Sequence, residues 1–271
     1  LAAQRIDRRS RVIIVGGGWT LDLVAFACSI WKRGLTFDFL PTTLLAQADA
    51  CLGGKCGVNY RGAKNQLGAF APARQVWVWP GFLETLPPRE LRAGWAEVVK
   101  HALIADAAYW DELTALNWPP ADWVPILERS LAVKGAIVAQ DPREDSLREV
   151  LNFGHTLGHA LESASLTTEA PLLHGEAIWY GMWAESLISE SSAGLDPAAG
   201  RAIRHYITSQ DFLVNLPAID VDSLLDWVRQ DKKNMGMRTR LSLLTAIGSA
   251  APGYIVSDDV LTSSMRQALC P

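Results

Sequence analysis

Arg11-Val12-Ile13-Ile14-Val15-Gly16-Gly17-Gly18-Trp19-Thr20-Leu21-Asp22 decides the fold of the first part of the chain. Four successive β-branched residues read as a short strand. Three glycines end it, and residues 19–27 continue with helical periodicity. Strand, glycine turn and helix N-terminus together form a phosphate cradle, because glycine lets backbone N–H groups approach an anion and the helix end favours negative charge. A tight turn also calls for glycine without any ligand. The pattern is not a full GxGxxG, since position 21 is leucine.

Residues 36–40 form a second predicted strand, and Pro41, Thr42 and Thr43 open a helix with a threonine as N-cap. Residues 53–59 and 62–65 read as a glycine-rich loop carrying Lys55 and Lys64, which suits an anionic ligand or a solvated surface equally. Residues 75–79 give a further strand in which Trp77 and Trp79 alternate, and core packing is the preferred account of both. The pattern is α/β up to about Pro80. Beyond it come predicted helices from 87 to about 104, then at 107–116, 123–140, 147–164, 174–191, 197–209 and 221–229. A hairpin at 238–245 and a last helix from 258 follow. Proline and glycine cluster at 80–88, so we expect one domain over 1–84 and a mainly helical one over 85–271.

The chain has 271 residues, 49% hydrophobic and 20% charged, with net charge -4 and pI about 5.8. That composition supports a sizeable core and gives no nucleic-acid footprint. The longest apolar run, 23–31, is too short to span a bilayer, and the first residues lack a signal-peptide apolar region. Cys28, Cys51, Cys56 and Cys270 form no CxxC pair, so reduced thiols in a cytoplasmic protein are expected.

Four of the five histidines fall in three short stretches: His101 beside Glu97 and Lys100, His155 and His159, and His174. His155 and His159 share a helix face at i, i+4. Gly154 and Gly158 precede them, and helix-interior glycine costs about 1 kcal/mol, so something is expected to pack closely there. A Glu, His, His set from three elements suits zinc with an open coordination position.

GGGWTLD (16–22), KRG (32–34), PTTLLAQADA (41–50), GGKCGVN (53–59), GAKNQLGAF (62–70), FLETLPPRELRAGWAEVVKHALI (82–104), VAQDPRE (138–144), LNFGHTLGHALE (151–162), LLHGEAI (172–178) and DKKN (231–234) stand in one order along the chain. Together they resemble the 3-dehydroquinate synthases, within the sugar phosphate cyclases. The resemblance implies a Rossmann-like NAD-binding domain, here incomplete, followed by a helical metal-binding domain, and a homodimer. It implies conversion of 3-deoxy-D-arabino-heptulosonate 7-phosphate to 3-dehydroquinate and phosphate. The steps are transient NAD-dependent oxidation, phosphate elimination, re-reduction and intramolecular aldol cyclisation, which makes the enzyme a carbon–oxygen lyase of the shikimate pathway.

By the same resemblance, Glu97, His155 and His174 hold zinc or cobalt. His159, Lys100, Asp49 and Lys55 are catalytic. Asn65, Asn152 and one of Lys232 and Lys233 surround the leaving phosphate, Lys134 and Arg148 clamp the substrate carboxylate, and Arg33 reaches a neighbouring subunit's phosphate. Gly17, Gly18, Asp22, Thr42, Thr43, Lys64, Phe82 and Thr85 lie along NAD. Three departures stand against the family pattern. The first strands of the NAD domain are missing, Leu21 replaces the glycine of GGGxxGD, and Cys56 replaces a threonine. Leu21, whose side chain could crowd the pyrophosphate, brings in a cyclase of secondary metabolism, of the 2-epi-5-epi-valiolone or aminodehydroquinate type. Arg148, Asn152, His155 and His159 keep the RxxLNxGHTxGH pattern and favour the carboxylate substrate. A metal-dependent alcohol dehydrogenase fits the architecture but needs no lysine-rich clamps, and a degenerate paralogue would not need the intact metal set.

Overall fold

The β-branched run at Val12–Val15 forms β1 (Arg11–Gly16), which pairs in parallel with β2 (Thr36–Pro41) from Arg11 opposite Thr36 to Gly16 opposite Pro41. The crossover is α1 (Gly18–Ile30), whose Leu21, Ala25 and Cys28 are buried with Ile14, Phe37 and Phe39 in one apolar cluster. The computed structural model describes residues 6–7, 9–60, 63–166, 168–216, 219–230 and 239–269.

Two expectations for this part change. The strand at 75–79 shrinks to a single parallel bridge, Phe39 with Val76, and Trp77 and Trp79 are 53% and 59% exposed rather than packed in a core. β2 supplies the bridge partner, and the Trp79 ring makes an edge contact with Phe82. The glycine-rich loop is an antiparallel hairpin, β3 (Lys55–Tyr60) with β4 (Ala63–Phe70). The helix expected after Pro41 is present but short, α-helical at Leu44–Leu45 and π-helical over Ala46–Ala50. Thr43 does cap it, its Oγ1 accepting from the Ala46 N–H at 3.2 Å.

The remainder is mainly helical: α2 (Pro88–Ala105), α3 (Ala107–Ala115), α4 (Val124–Gln140), α5 (His155–Ser165), α6 (His174–Ser192), α7 (Pro197–Ser209), α8 (Val221–Gln230) and α9 (Asp258–Ala268). An antiparallel hairpin, β5 (Thr239–Ala246) with β6 (Ser249–Val256), precedes α9. The long helix expected over 147–164 is broken. Residues Leu147–Asn152 form a 3-10 turn, Gly154 takes a left-handed φ of 79°, and α5 starts at His155. Three tryptophans of the core pack against one another, Trp95 with Trp118 and Trp123, and Trp179 stacks on Phe212 at 4.5 Å. No helix among the described residues is long and apolar enough to cross a membrane.

Glycines let α2, α5 and α6 converge. A Cβ on Gly181 would fall 1.8 Å from the Gly154 carbonyl oxygen, and one on Gly175 would fall 1.8 Å from that of Ala93. A Cβ on Gly158 would reach the Ala177 carbonyl at 3.1 Å. The close packing expected from the glycines beside the histidines is therefore the crossing of α5 and α6.

Candidate metal and substrate site

Three helices deliver the site. α2 carries Glu97, Lys100 and His101, all buried. α5 carries His155 and His159, and α6 begins with His174. The N-terminus of α5 is held by Glu185 of α6, a fully buried carboxylate that accepts from the Gly154 N–H at 2.6 Å and the Leu157 N–H at 3.2 Å. An acceptor there satisfies donors that the first turn leaves open and complements the helix dipole.

Glu97 Oε1 lies 3.3 Å from His155 Nε2 and 3.3 Å from His174 Nε2. The opposite ring nitrogens are tied back: His155 Nδ1 to the Phe153 carbonyl at 3.1 Å, and His174 Nδ1 to Glu162 Oε2 at 3.2 Å. Outer partners of this kind fix the orientation of metal-binding imidazoles. His159 stands beside both, with ring centroids 5.1 Å from His155 and 5.5 Å from His174, and one nitrogen of each of the three rings falls within a 4.8 Å span.

Burial pushes the Glu97 carboxyl up, but Lys100, which pairs with its Oε2, and His155 outweigh this and hold it well below the usual range. Burial and Lys100 lower the His155 pKa. Burial also opposes charge on His174, yet Glu162 and Glu97 raise it to about 9. Two carboxylates around one imidazole favour positive charge at that point. A divalent cation answers the same demand, and carboxylate plus imidazole nitrogens are a donor set that zinc or cobalt accepts. The residues present therefore fit a metal.

A second polar cluster adjoins the first. Lys134 Nζ lies 2.7 Å from both the Asp49 carbonyl oxygen and Asp49 Oδ1. His101 bridges Asp49 Oδ1 at 3.2 Å and Ser130 Oγ at 2.7 Å. Ligand atoms of Asp49, Glu97 and His101 also fall within 4.8 Å of one another. Burial would raise the Asp49 pKa, but Lys134 and Lys100 keep it far below the ordinary carboxylate value.

A third group collects around Glu144. Lys55 pairs with its Oε2, and Asn152 Nδ2 donates to its Oε1 at 2.9 Å. Arg148 is buried and spends its fork on the Pro142 and Gly53 carbonyls at 2.6 and 2.9 Å. Its Nε has no hydrogen-bond partner among the described residues. The expected carboxylate clamp is therefore divided here between Asp49 (Lys134) and the backbone (Arg148). Arg33 is exposed, with a φ of 70°. Lys232 and Lys233, and the side chains of Lys64 and Asn65, lie outside the described residues.

At the glycine turn, Gly17 is the N-cap of α1 and no side chain caps that helix. A Cβ on Gly17 would come within 3.0 Å of Thr43 Cγ2, and the Thr42 N–H donates to the Gly16 carbonyl at 2.9 Å. Uncapped N–H groups beside a glycine are what a pyrophosphate needs. Gly18 begins α1, Asp22 sits one turn further on, and its carboxyl is pushed up by burial to about 6. Phe82 and Thr85 lie on the 3-10 turn Pro80–Thr85. Leu21 is fully buried in the apolar cluster under α1, so its side chain is taken up by the core instead of crowding the turn.

Sequence reasoning assigned no role to Glu162, Glu144, Glu185, His101 or Ser130. Glu162 had a local signal, since it lies three residues after His159 and seven after His155 on one helix face. Ser130 and Glu185 had none, because their partners come from other elements.

The chain is similar to known proteins over most of its length. Residues 1–93 match the model of the 3-dehydroquinate synthase N-terminal family, and residues 94–234 match that of the 3-dehydroquinate synthase C-terminal family. The chain is 38% identical to a 3-dehydroquinate synthase of Thermosynechococcus vestitus, over 98% of this chain and 73% of that protein. It is 40% identical to one from a Synechococcus species, over 98% and 72%. Among solved structures, a 2-deoxy-scyllo-inosose synthase complexed with carbaglucose-6-phosphate, NAD+ and Co2+ superposes with a TM-score of 0.88 at 27% identity, covering 98% of this chain and 76% of that one. A 2-epi-5-epi-valiolone synthase from Streptomyces hygroscopicus with NAD+ and Zn2+ bound gives 0.86 at 28% identity, with the same coverage. An iron-containing alcohol dehydrogenase shares the two-domain fold alone, with a TM-score of 0.67 at 16% identity over 99% of this chain and 78% of that one. Two family models that together span residues 1–234, and relatives of this identity and coverage, lead to one conclusion: the chain belongs to the 3-dehydroquinate synthase family.

Proposed function

We propose that this protein converts 3-deoxy-D-arabino-heptulosonate 7-phosphate to 3-dehydroquinate and phosphate. The observation that carries the proposal is Glu97 Oε1 at 3.3 Å from both His155 Nε2 and His174 Nε2, with Lys100 and Asp49 alongside. When bound, zinc or cobalt at Glu97, His155 and His174 supplies a Lewis acid, and NAD at the Gly17–Gly18 turn supplies a hydride acceptor and donor.

The chain's own groups account for the rest. Lys100, fully buried against Glu97, places a positive charge where a substrate hydroxyl loses its proton. His159, next to His155 and His174, is placed to take up that proton and return it. Asp49 accepts from a second hydroxyl. Lys55 and Asn152, now held by Glu144, are released to the phosphate of the substrate. Asn65 and one of Lys232 and Lys233 complete that phosphate site in the same reading. Lys134 and Arg148 give the carboxylate end once Lys134 is released from Asp49 and the arginine's planar fork from the Pro142 and Gly53 carbonyls. Asp22, Thr42, Thr43, Lys64, Phe82 and Thr85 line the dinucleotide.

The proposal includes a division of labour, residues 1–84 for the dinucleotide and 85–271 for metal and substrate. It also includes a homodimer in which exposed Arg33 reaches the neighbouring subunit, and a cytoplasmic location. Cys28, Cys51 and Cys56 are free thiols, as the last part requires.

The test is phosphate release with NAD+ and zinc supplied, from 3-deoxy-D-arabino-heptulosonate 7-phosphate and, in parallel, from sedoheptulose 7-phosphate, which has no carboxylate. Release from the first alone is expected. Release from the second alone would overturn the substrate assignment.

A further inference from the structure

His101 is completely buried on α2, one residue beyond Lys100, and is not among the positions assigned to metal. A buried imidazole needs partners for both nitrogens. His101 has two: Ser130 Oγ of α4 at 2.7 Å from Nδ1, and Asp49 Oδ1 at 3.2 Å from Nε2. An ionised carboxylate only accepts, so Nε2 carries the hydrogen that points at Asp49. Burial keeps the ring neutral, which leaves Nδ1 as the acceptor of the Ser130 hydroxyl hydrogen. The carbonyl one turn back from Ser130, that of Ile126, already accepts from the Tyr109 hydroxyl at 2.7 Å. The serine is therefore directed toward the imidazole. The row is directional: serine to histidine, histidine to aspartate.

Asp49 sits on the π-helical turn Ala46–Ala50, a backbone form that often marks a functional position. Lys134 and His101 both bind its Oδ1. Oδ2 has no hydrogen-bond partner among the described residues, and the side chain is 22% exposed. One oxygen is anchored by two donors, and the other is left open among the described residues.

We propose that His101, set by Ser130, is a positioning residue for Asp49: it pins Oδ1 so that Oδ2 is presented to a substrate hydroxyl. This rests on the function proposed above, and two measurements keep the two ideas apart.

The first is kinetic, on the full chain with metal, NAD+ and the heptulosonate phosphate. His101→Leu is expected to lower kcat by about 10- to 100-fold, as loss of an orienting partner does, while KM stays close to the parent value. His101→Gln, whose amide N–H reaches Asp49 from the Nε2 position, is expected to recover most of the loss. His101→Leu combined with Asp49→Asn is expected to be no slower than Asp49→Asn alone, because both changes remove one interaction. A His101→Leu variant with parent kcat, or losses that multiply in the double variant, overturns the proposal. The second needs no turnover. Nitrogen NMR of histidine-labelled protein is expected to show His101 as the Nε2–H tautomer, and Ser130→Ala is expected to shift its Nδ1 signal. An Nδ1–H or doubly protonated ring overturns the proposal even if the protein acts on another substrate. An inactive parent with the expected tautomer overturns the substrate assignment and leaves the His101–Asp49 geometry standing.

Discussion

His174 Nε2 stands 3.3 Å from Glu97 Oε1, while its Nδ1 is 3.2 Å from Glu162 Oε2. One ring thus joins a carboxylate on α2 to a carboxylate on α5, and its lateral freedom is removed from both sides. Replacing His155 or His174 by alanine is expected to abolish bound metal and turnover together, read by elemental analysis beside phosphate release. Glu162→Ala keeps every proposed ligand but frees the ring, and is expected to weaken metal binding by about 10- to 100-fold in a chelator competition. Parent-like affinity in Glu162→Ala would show that the ring is held by something else.

Gly181 offers a steric test of the fold. Its missing Cβ would lie 1.8 Å from the Gly154 carbonyl, a backbone atom that cannot swing away. Gly181→Ala must push α5 from α6, and we expect a loss of about 3 kcal/mol or more, at the upper end for overpacking. Urea unfolding followed by circular dichroism measures it. A midpoint shift too small to resolve would mean that the two helices separate easily.

Glu185 should behave differently from a surface acid. Glu185→Ala leaves the Gly154 and Leu157 N–H groups buried without acceptors, for an expected loss of about 2–4 kcal/mol. Glu185→Gln retains one carbonyl oxygen and is expected to lose roughly half as much. The same unfolding measurement ranks them, and an alanine variant as stable as the glutamine variant would contradict the capping role.

Asp22 gives a pH dependence of defined sign. Burial raises its folded pKa from an ordinary 3.8 to about 6, against the lowering effect of Lys134. Between those values the native state binds the extra proton, so this group's contribution to stability falls as pH rises from about 3.8 to about 6. Asp22→Asn removes the penalty. The variant is expected to be more stable than the parent at neutral pH by on the order of 2 kcal/mol. The gain is expected to shrink as the pH falls toward 4, where the parent's carboxyl is largely protonated. A gain that is constant with pH would mean that the carboxyl is solvated and titrates normally.

Sequence by itself determined several local features of this protein and one that runs the length of the chain. The β-branched run at Val12–Val15 and its glycines gave a strand and turn. The i, i+4 spacing put His155 and His159 on one face, and the glycines beside the histidines announced a close helix crossing. Motifs from Gly16 to Asn234 in a single order carried the family. The local features rest on backbone propensity and short-range periodicity, which a neighbouring stretch of chain is enough to express.

Tertiary structure alone decided the rest. It broke the expected helix at Gly154, where a left-handed φ is compatible with Glu185 reaching from α6 to the new N-terminus. It left Trp77 and Trp79 exposed, because alternation in sequence cannot say whether a layer covers the strand. It made the glycine-rich loop a hairpin, and it brought Glu97 to His174 across a separation of 77 residues and His101 to Asp49 across 52. Such contacts depend on how closely packed helices approach and on which buried polar group finds which partner, and no local stretch of sequence contains that information.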